Sequence, residues 1–486
     1  MSLPLRKTDS KELSLLINSR SPEGGLFEGD RTNLHPDSRL PWRISPEPFW
    51  LTSQQVQFLE DLGPLLLRFY SASNLLYHQS VKGIRPGWVH DYLDMGKPER
   101  VVDFGRMNRF RTQLPLVMRP DLLLTEEGFR VTELDSIPGG MGFTGQIAEV
   151  YAELGYDIVG GGDGLVTGFY DAFRASTELD SPTVVILVSD ESDNYREEMT
   201  WLADQLQERG RAVYCRHPKE IRFDDDGLLV EDGGDRKRVD SVYRFFEMFD
   251  LPNIPKIELV TYFAKKNAVR LTPPPKAFLE EKLWLALLHH PLLLEYWEQE
   301  LGRDDTAQLQ QIVPHTWILD NRPAPPHSVI PSLTVGGRAV GEWSALDHLT
   351  KRERELVVKP SGFSENASQS RDVAIGHDMP EEEWQSRLHT ALNRFDDGPY
   401  ILQKFYKSSQ VRMDYYDFER GDTRPMRGRA LLRPYYYLIG SEPKLAGVQA
   451  LVCPPDKKLL HGMADAILVP CAVGNEGNAT APAVRT

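Results

Sequence analysis

The amino-acid sequence predicts a mixed fold that combines an α/β unit with α+β layers. Three observations support this class. Residues 182–216 alternate strand, helix and strand patterns, which is typical of a parallel β-sheet. Residues 114–140 contain two apolar runs on either side of a short loop with a glycine, which predicts a β-hairpin. Residues 313–440 contain several strand-like runs with one helical pattern between them, which indicates an α+β layer.

Length and composition place the chain among multi-domain globular proteins. At roughly 150 residues per domain, 486 residues correspond to about three domains. The sequence is 41% hydrophobic and 26% charged, which excludes collagen-like, coiled-coil and wholly disordered architectures. Acidic residues number 71 and basic residues 56, and the net charge of −15 repels nucleic acid and anionic lipid surfaces. We therefore expect small-molecule partners, with no role for nucleic acid or a membrane.

Cysteine content and the N-terminal sequence both favour a cytoplasmic protein. The three cysteines, Cys215, Cys453 and Cys471, are far apart, so neither a disulfide framework nor a cysteine-rich zinc site is predicted. Charged residues interrupt the first 20 positions, and no later segment stays uncharged for about 18 residues. The sequence therefore predicts neither an export signal nor a membrane span.

The predicted elements divide the chain into five successive segments. The first is rich in proline, serine, arginine and glycine, which predicts an irregular arm. The second begins with apolar residues at helical spacing from Thr52 to about Tyr77 and ends with the hairpin. The last is small and polar, which predicts a disordered tail. The five segments are residues 1–48, 49–160, 161–270 (the α/β unit), 271–473 (the strand-rich layers) and 474–486.

The hairpin carries one arginine and three carboxylates. Alternate side chains of a strand share a face, so Arg119 and Asp121 point to the same side, and Glu133 and Asp135 do so on the second strand. A three-residue loop places Asp121 opposite Glu133, and the same register pairs Arg119 with the last carboxylate. Oxygen ligands suit Mg²⁺, which proteins usually hold with one or two carboxylates plus substrate phosphates. The alternative interpretation is a charged hairpin face exposed to water.

The hairpin residues resemble those of a known enzyme family. The pattern Arg119-x-Asp121, followed by Glu133-x-Asp135 and the sequence SIPGG, is similar to the magnesium-binding hairpin of the glutathionylspermidine synthase-like ligases, in their synthetase domain. Those enzymes are circularly permuted ATP-grasp ligases, in which the metal-binding strands precede the nucleotide-binding lysines. This chain has the same order, and the resemblance covers roughly residues 100–470.

The resemblance implies a circularly permuted ATP-grasp fold. The α/β unit at residues 161–270 would be an inserted Rossmann-like, pre-ATP-grasp domain, and residues 271–473 would form the nucleotide-binding lobes. The implied cofactors are ATP and Mg²⁺, with the metal held by Asp121, Glu133 and Asp135. This last position is asparagine in the family, so the aspartate keeps an oxygen ligand but adds a charge.

The resemblance also implies an ATP site built on two lysines. The stretch ELVVKPSGFSENASQ resembles the strand and loop in which a lysine, here Lys359, reaches the phosphates, and the loop has one glycine, Gly362. A Leu- and Trp-rich helix resembles the one that carries the other lysine, Lys282. Gln403 and Lys404 lie in a strand similar to the one that receives adenine. Each has a purely structural alternative: a polar strand end, a surface lysine on a helix, or an edge strand.

Arginines and one serine complete the set of candidates. The resemblance makes Arg119 the catalytic residue that stabilises the transferred group. Arg244, which follows a short strand, and Ser136, in the glycine-rich loop after the hairpin, are candidates for binding a carboxylate substrate. Four arginines near the C-terminal end either stabilise phosphoryl oxygens or lie on a solvated strand face. They are Arg412, Arg427, Arg429 and Arg433.

These patterns favour one reaction over others. The stretch GGGDGLVTG does not match the dinucleotide-binding pattern, and the sequence has no P-loop, zinc-protease or serine-hydrolase motif. We therefore expect an ATP-dependent carboxylate–amine ligase that forms an amide through an acyl phosphate. One rival hypothesis is a non-catalytic nucleotide-binding or scaffold protein, which the glycine-poor phosphate loop favours. The other is an ATP-dependent small-molecule kinase.

Overall fold

The computed structural model describes residues 9–20, 42–322, 328–367, 372–417, 419–460, 465–474 and 480. The helices are α1 (Ser10–Arg20), α2 (Ser53–Val81), α3 (Trp88–Asp94), α4 (Glu99–Arg106), α5 (Met141–Glu153), α6 (Gly164–Thr177), α7 (Arg196–Glu208), α8 (Ile257–Lys265), α9 (Leu283–His289), α10 (Leu294–Leu301), α11 (Arg303–Ile312) and α12 (Glu381–Asn393). The strands are β1 (Phe49–Thr52), β2 (Val117–Thr125), β3 (Gly128–Asp135), β4 (Val184–Val188), β5 (Val213–Arg216), β6 (Arg222–Phe223), β7 (Leu228–Asp232), β8 (Asp235–Arg238), β9 (Ser241–Phe245), β10 (Arg270–Thr272), β11 (Thr316–Leu319), β12 (Thr334–Val335), β13 (Arg338–Ala339), β14 (Leu356–Pro360), β15 (Ala374–Ile375), β16 (Tyr400–Lys404), β17 (Gln410–Asp417), β18 (Asp422–Ile439), β19 (Glu442–Cys453) and β20 (Ile467–Gly474).

The first sheet has seven strands in the order β1-β20-β19-β18-β2-β3, with β17 also paired to β18. Strands β1 and β20 are parallel, whereas the other pairs are antiparallel. Helix α2 packs on this sheet, where the hydroxyl of Tyr436 donates to the carbonyl of Leu59. The helix predicted from residue 52 onward is present: Thr52 and Gln55 form a capping box at its start, and it continues to Val81.

The hairpin of β2 and β3 has the predicted register at its open end, but for a different reason. Thr125 pairs with Gly128, which leaves a two-residue loop instead of the expected three. Thr132 is then an extra residue in β3, which forms a β-bulge. The bulge offsets the shorter loop, so Asp121 still lies opposite Glu133.

The bulge also decides which side chains of β3 face the core. Val131 lies opposite Leu122, and both are fully buried. Residues that lie opposite each other on paired strands point to the same face of the sheet. Glu133 lies opposite Asp121, which alternates with Leu122, so Glu133 and Asp135 point to the other face of the sheet from Val131. Asp135 lies opposite Arg119. The apolar and charged halves of β3 therefore face different environments.

A second sheet has four parallel strands in the order β10-β9-β4-β5. Helix α7 connects β4 to β5, which is the alternation read from the sequence. The chain then returns to the other side of β4 to form β9. In open parallel sheets such a reversal opens a crevice at the carboxyl ends of the strands, where ligands bind. Residues 189–195 follow the carboxyl end of β4, and residues 246–249 follow the carboxyl end of β9.

A third sheet has the order β11-β16-β14-β15, with antiparallel pairs throughout. Val358 of β14 and Leu402 of β16 belong to a core that also contains Trp384 of α12. Alternation puts Lys359 on the opposite face of β14. There its ammonium donates to the carbonyl of Thr132 at 3.3 Å, so this sheet meets the hairpin at the bulge.

The two ends of the chain differ from the sequence-based expectation. Helix α1 forms within the segment expected to be irregular, because burial of Ser14 and Ile17 gives this short helix tertiary support. Of the expected disordered tail, residues 475–479 and 481–486 lie outside the described residues. Gly474 ends β20, and Thr480 exchanges two hydrogen bonds with Trp50.

Among the described residues, no helix combines the length and the apolar character needed to cross a bilayer. The cytoplasmic location and the five segment boundaries stay predictions.

Candidate active site

A cavity of ≈ 370 Å³ lies where the hairpin, the parallel sheet and the start of α9 meet. The hairpin and the loop after it form one wall, and residues following β4 and β9 form a second. The loop after β14 forms a third. The crevice at the reversal of the parallel sheet therefore opens into this first cavity. Its lining includes Arg119, Asp121, Glu133, Asp135, Ser136, Tyr195, Glu247, Glu280, Lys282, Gly362 and Arg433.

Asp121 is a buried carboxylate held by two arginines. Nε of Arg119 donates to its Oδ1 at 2.9 Å, and Nε of Arg433 donates to its Oδ2 at 3.3 Å. Burial disfavours the charged form, but the two guanidiniums outweigh this cost and hold the pKa of Asp121 below its ordinary value. Asp121 is therefore ionised, and both of its oxygens have a cationic partner.

Glu133 pairs with Lys282 across the cavity. Nζ of Lys282 lies 2.8 Å from Oε1 of Glu133, and it also donates to the carbonyl of Ala367 at 2.9 Å. Burial disfavours the ammonium, but the ion pair outweighs it and raises the pKa of Lys282. The first lysine expected to bind phosphate thus lies in the cavity, where its partner is an expected metal ligand.

Asp135 shares Arg119 with Asp121. One carboxylate oxygen lies 3.0 Å from Nη2 of Arg119, and the other accepts from the N–H of Ile137 at 2.8 Å. Burial nevertheless raises the pKa of Asp135. The three expected metal ligands therefore line one cavity, each paired with a cation. In the part of the chain that the structure describes, no group of three or more His, Cys, Asp or Glu side chains is arranged to hold a metal ion.

Lys359, the second lysine expected to bind phosphate, is buried between two neutral acceptors. Its Nζ donates to Oε1 of Gln403 at 2.9 Å and to the carbonyl of Thr132 at 3.3 Å. Burial is the main influence on its ammonium and lowers the pKa of Lys359 to about 8. Gln403 is held in turn by Thr316, whose hydroxyl accepts from its Nε2 at 3.1 Å.

A second cavity has a volume of ≈ 310 Å³. Leu123 lines it, on the same strand face as Asp121 and two residues further along β2. Glu355, just before β14, also lines it, whereas Gly362, just after β14, lines the first cavity. Lys359 of β14 is itself buried and lines neither cavity. The other residues of the second cavity are His377, Phe405, Tyr406, Lys407, Ser408, Arg429 and Lys458.

Four expected site residues line neither cavity: Lys359, Gln403, Arg244 and Lys404. Arg244 is fully buried, pairs with Glu280 and donates to the carbonyl of Phe246 at 2.6 Å. Its guanidinium supports the wall of the first cavity and presents no free face to a substrate. Lys404 is exposed at the end of β16. Because Gln403 faces the hairpin, the alternation of the strand turns Lys404 away from it.

Ser136 and Gly362 both line the first cavity. The hydroxyl of Ser136 lies 3.4 Å from that of Tyr70, so it has a buried partner. A Cβ at Gly362 would lie 2.9 Å from the carboxylate of Glu281. The single glycine of the phosphate loop is thus required by close packing on a buried side chain.

One wall of the first cavity, supplied by the parallel sheet, was not predicted from the sequence. Glu247 lies two residues after the end of β9 and lines this cavity. Burial raises its pKa to about 8, and the neighbouring Glu280 and Asp135 add to this shift. The available signal was the position itself, since residues at the carboxyl ends of β4 and β9 flank the reversal of the sheet.

The four C-terminal arginines have three different environments. Arg433 lines the first cavity and Arg429 the second. Arg412 and Arg427 lie opposite each other on β17 and β18 and are exposed. Arg412 and Arg427 therefore lie on a solvated strand face, and a phosphoryl-stabilising role for Arg429 and Arg433 stays a prediction.

Comparison with known proteins shows the fold. No protein-family model matches the sequence, and no curated protein matches it. The structure is similar to that of a glutathione synthetase-like effector from Globodera pallida in its apo form, with a TM-score of 0.55 and 12% identity, covering 98% of this chain and 100% of the other. A protein described as a gamma-glutamylcysteine synthetase from Methylobacillus flagellatus also matches, at 11% identity over 90% and 93% of the two chains, but its TM-score of 0.39 is too low to carry an argument. The mixed α/β class is confirmed, and the likeness is consistent with an ATP-grasp-like fold.

Proposed function

We propose that this protein is an ATP-dependent carboxylate–amine ligase, similar in reaction to the glutathionylspermidine synthase-like enzymes. The observation that supports it most is the lining of the first cavity, which brings Lys282 and Arg119 together with the hairpin carboxylates. A metal–nucleotide complex needs a pocket for its base, cations for its phosphates and carboxylates for its metal. The first cavity offers the cations and the carboxylates, and the second cavity is the candidate pocket for the base.

We further propose that the fold is a circularly permuted ATP grasp with an inserted pre-ATP-grasp domain. The hairpin strands β2 and β3 come first in the chain, and the strands and helix that carry Lys282 and Lys359 come later. The parallel sheet lies between them in sequence, as an insertion requires.

In this proposal the base occupies the second cavity, and the phosphates extend past Lys359 into the first. Phe405 and Tyr406 offer aromatic surface to the base. Lys359 exchanges its two neutral acceptors for phosphate oxygens, and the anion favours its ammonium form. Lys282 exchanges Glu133 for the terminal phosphate, which releases that carboxylate.

The three carboxylates of the hairpin fit magnesium. Mg²⁺ carried by a nucleotide needs only one or two carboxylates, so a preformed group of three is not required. Glu133, Asp121 and Asp135 are the side chains that would hold it, and all three line the first cavity. When bound, the metal neutralises charge on the phosphates. Arg119 and Arg433, which flank Asp121, are placed to stabilise the oxygens of the transferred group.

The wall formed by the parallel sheet would receive the acid and the amine. The acid attacks the terminal phosphate to give an acyl phosphate, and the amine then displaces the phosphate. An ammonium substrate must lose its protons to become an amide nitrogen. Glu247, whose pKa is raised to about 8 by burial, has the basicity to accept one of them.

An isotope experiment tests this reaction. Release of ADP in the presence of panels of carboxylic acids and amines would first identify a substrate pair. With ¹⁸O in the carboxyl group of that acid, one label should appear in inorganic phosphate, because the acyl phosphate passes its bridging oxygen to the leaving group.

Other products would identify other functions. AMP with pyrophosphate would indicate adenylation, and a stable phosphorylated product would indicate a kinase. A folded protein that shows no change in melting temperature with millimolar Mg²⁺ and ATP would support the scaffold hypothesis, because a ligand that binds only the native state must stabilise it.

A further inference from the structure

The start of helix α5 is capped from another part of the chain. Glu198 of α7 is fully buried, and its Oε1 accepts from the N–H of Gly140 at 2.7 Å. Its Oε2 accepts from the N–H of Phe143 at 3.3 Å. The residue at the N-cap of α5 is Gly140 itself, which has no side chain to cap these groups. A carboxylate from the parallel-sheet unit therefore accepts hydrogen bonds from two N–H groups at the start of the helix that follows the hairpin.

The peptide group between Gly139 and Gly140 also contacts Arg119, which lines the first cavity. The carbonyl of Gly139 accepts from Nη1 of Arg119 at 3.1 Å and from the hydroxyl of Tyr435 at 3.0 Å. The carbonyl of Gly139 and the N–H of Gly140 belong to one planar peptide unit. Whatever fixes that N–H also fixes that carbonyl. Glu198 therefore acts on Arg119 through a single rigid group.

Close packing fixes the distance between α7 and this turn. A Cβ on Gly139 would lie 2.2 Å from the ring of Tyr195, and a Cβ on Gly142 would lie 2.2 Å from the carbonyl oxygen of Glu198. Neither glycine leaves room for a side chain. The absence of side chains at these two glycines lets α7 approach closely enough for Glu198 to reach both N–H groups at once.

We infer that Glu198 is a positioning residue for the proposed reaction, because it orients the peptide between Gly139 and Gly140 and, through it, the guanidinium of Arg119. The inference rests on the proposed function, since Arg119 acts only if a phosphoryl group reaches it. Glu198 lies outside the hairpin, on helix α7 of the parallel-sheet unit, whereas Arg119 lies on β2 of the first sheet.

Ionisation of Glu198 provides a readout that packing alone would not give. Burial raises the pKa of Glu198 to about 7, against the opposing effect of the backbone N–H groups and of Arg119. The other titratable groups that face it are tyrosines, which burial keeps neutral at this pH. They are Tyr195, Tyr243, Tyr435 and Tyr437.

The experiment compares Glu198→Gln with the wild type by measuring the dissociation constant of Mg²⁺·ATP from pH 5.5 to 8.5. A glutamine has one acceptor oxygen and cannot accept from both N–H groups. At pH 8.5 we expect binding to be about fivefold weaker in the variant, the effect of one net hydrogen bond. At pH 5.5 the ratio should approach one, because the wild-type side chain is then also neutral. Lys359, which titrates near pH 8, is present in both proteins and cancels in the ratio.

Two controls separate positioning from folding. Glu208→Gln changes an exposed glutamate of the same helix and should leave the ratio at one at every pH. Because burial raises the pKa of Glu198, its ionised form costs stability above pH 7, so Glu198→Gln should melt no lower than the wild type at pH 8.5. A ratio of one at pH 8.5, or a ratio that does not change with pH, would overturn the inference alone. Absence of nucleotide binding by the wild type would overturn it together with the proposed function.

Discussion

The two ends of the first cavity balance their charges differently. At the hairpin end, Asp121 and Glu133 each have a cation within 3.3 Å. At the end formed by the parallel sheet, Arg244 pairs with Glu280, and the pKa of the neighbouring Glu247 rises to about 8. Ion pairs can exchange partners with a metal–phosphate complex with little net change in charge. Carboxylates without enough cations hold a proton or attract a positive group. The difference indicates separate roles for the two ends.

The largest expected effect concerns Lys359, which would clamp phosphate beside the hairpin end. Lys359→Ala should lower turnover by about a hundredfold or more, because it removes a cation from the developing charge. Steady-state ADP release measures this. Lys404→Ala is the matched control, since Lys404 is the exposed lysine of the adjacent strand. A Lys359→Ala variant that keeps wild-type turnover would show that Lys359 does not clamp the phosphates.

A smaller effect is expected at the hairpin carboxylates. Asp121→Asn and Glu133→Gln keep the side-chain volumes and remove one charge each, so Mg²⁺-dependent nucleotide affinity should fall by about tenfold, as for loss of a charge-assisted contact. Calorimetric titration with and without Mg²⁺ checks this. Glu127→Gln, at the exposed tip of the same hairpin, should bind normally. If all three variants bind like the wild type, the hairpin does not contact the metal.

The opposite end of the cavity should respond to pH. Burial raises the pKa of Glu247 from its ordinary 4.5 to about 8, so the native state holds this proton more tightly than the unfolded chain does. Wild-type stability relative to Glu247→Gln should therefore fall as pH rises from about 5 to 8, shifting the melting temperature by a few degrees. Glu258→Gln, an exposed change on α8, is the control. A difference that stays constant with pH would show that Glu247 is ionised throughout.

The smallest effect is expected on β18, which carries both a cavity arginine and an exposed one. Arg427→Ala should change stability and nucleotide affinity by less than about 0.5 kcal/mol, as is typical of surface substitutions. Arg433→Ala should weaken nucleotide binding, because Asp121 then loses a partner in the first cavity. Fluorescence titration of both variants tests the contrast. Similar affinities would mean that Arg433 does not take part in binding.

Local patterns predicted the parts of the site that lie on single strands or hairpins. Alternation placed Asp121 and Glu133 on one face, but the expected three-residue loop was wrong, and the predicted register holds because the two-residue loop and the bulge at Thr132 offset each other. These relations depend on neighbours in sequence or on one strand pair, which a single sequence records.

Relations between distant segments were not predictable in the same way. Arg244 was expected to bind substrate, but its guanidinium pairs with Glu280, which is 36 residues away in the chain. Glu247 was missed because its raised pKa arises from burial among carboxylates of other elements. Helix α1 was missed because a composition rich in polar residues hides the few side chains that it buries. In each case the outcome depends on tertiary packing between distant segments.

The bulge at Thr132 gives the hairpin an unusual tolerance to change in length. If this one residue were deleted, Val131 and Glu133 would become adjacent, and ordinary alternation would still put them on opposite faces, with Glu133 opposite Asp121. What would disappear is the carbonyl that accepts from Lys359. Over evolutionary time, related chains can therefore gain or lose a residue here and keep the same cavity lining. A one-residue gap at this point in an alignment would mark a changed contact between the hairpin and the third sheet, with the site residues still in register.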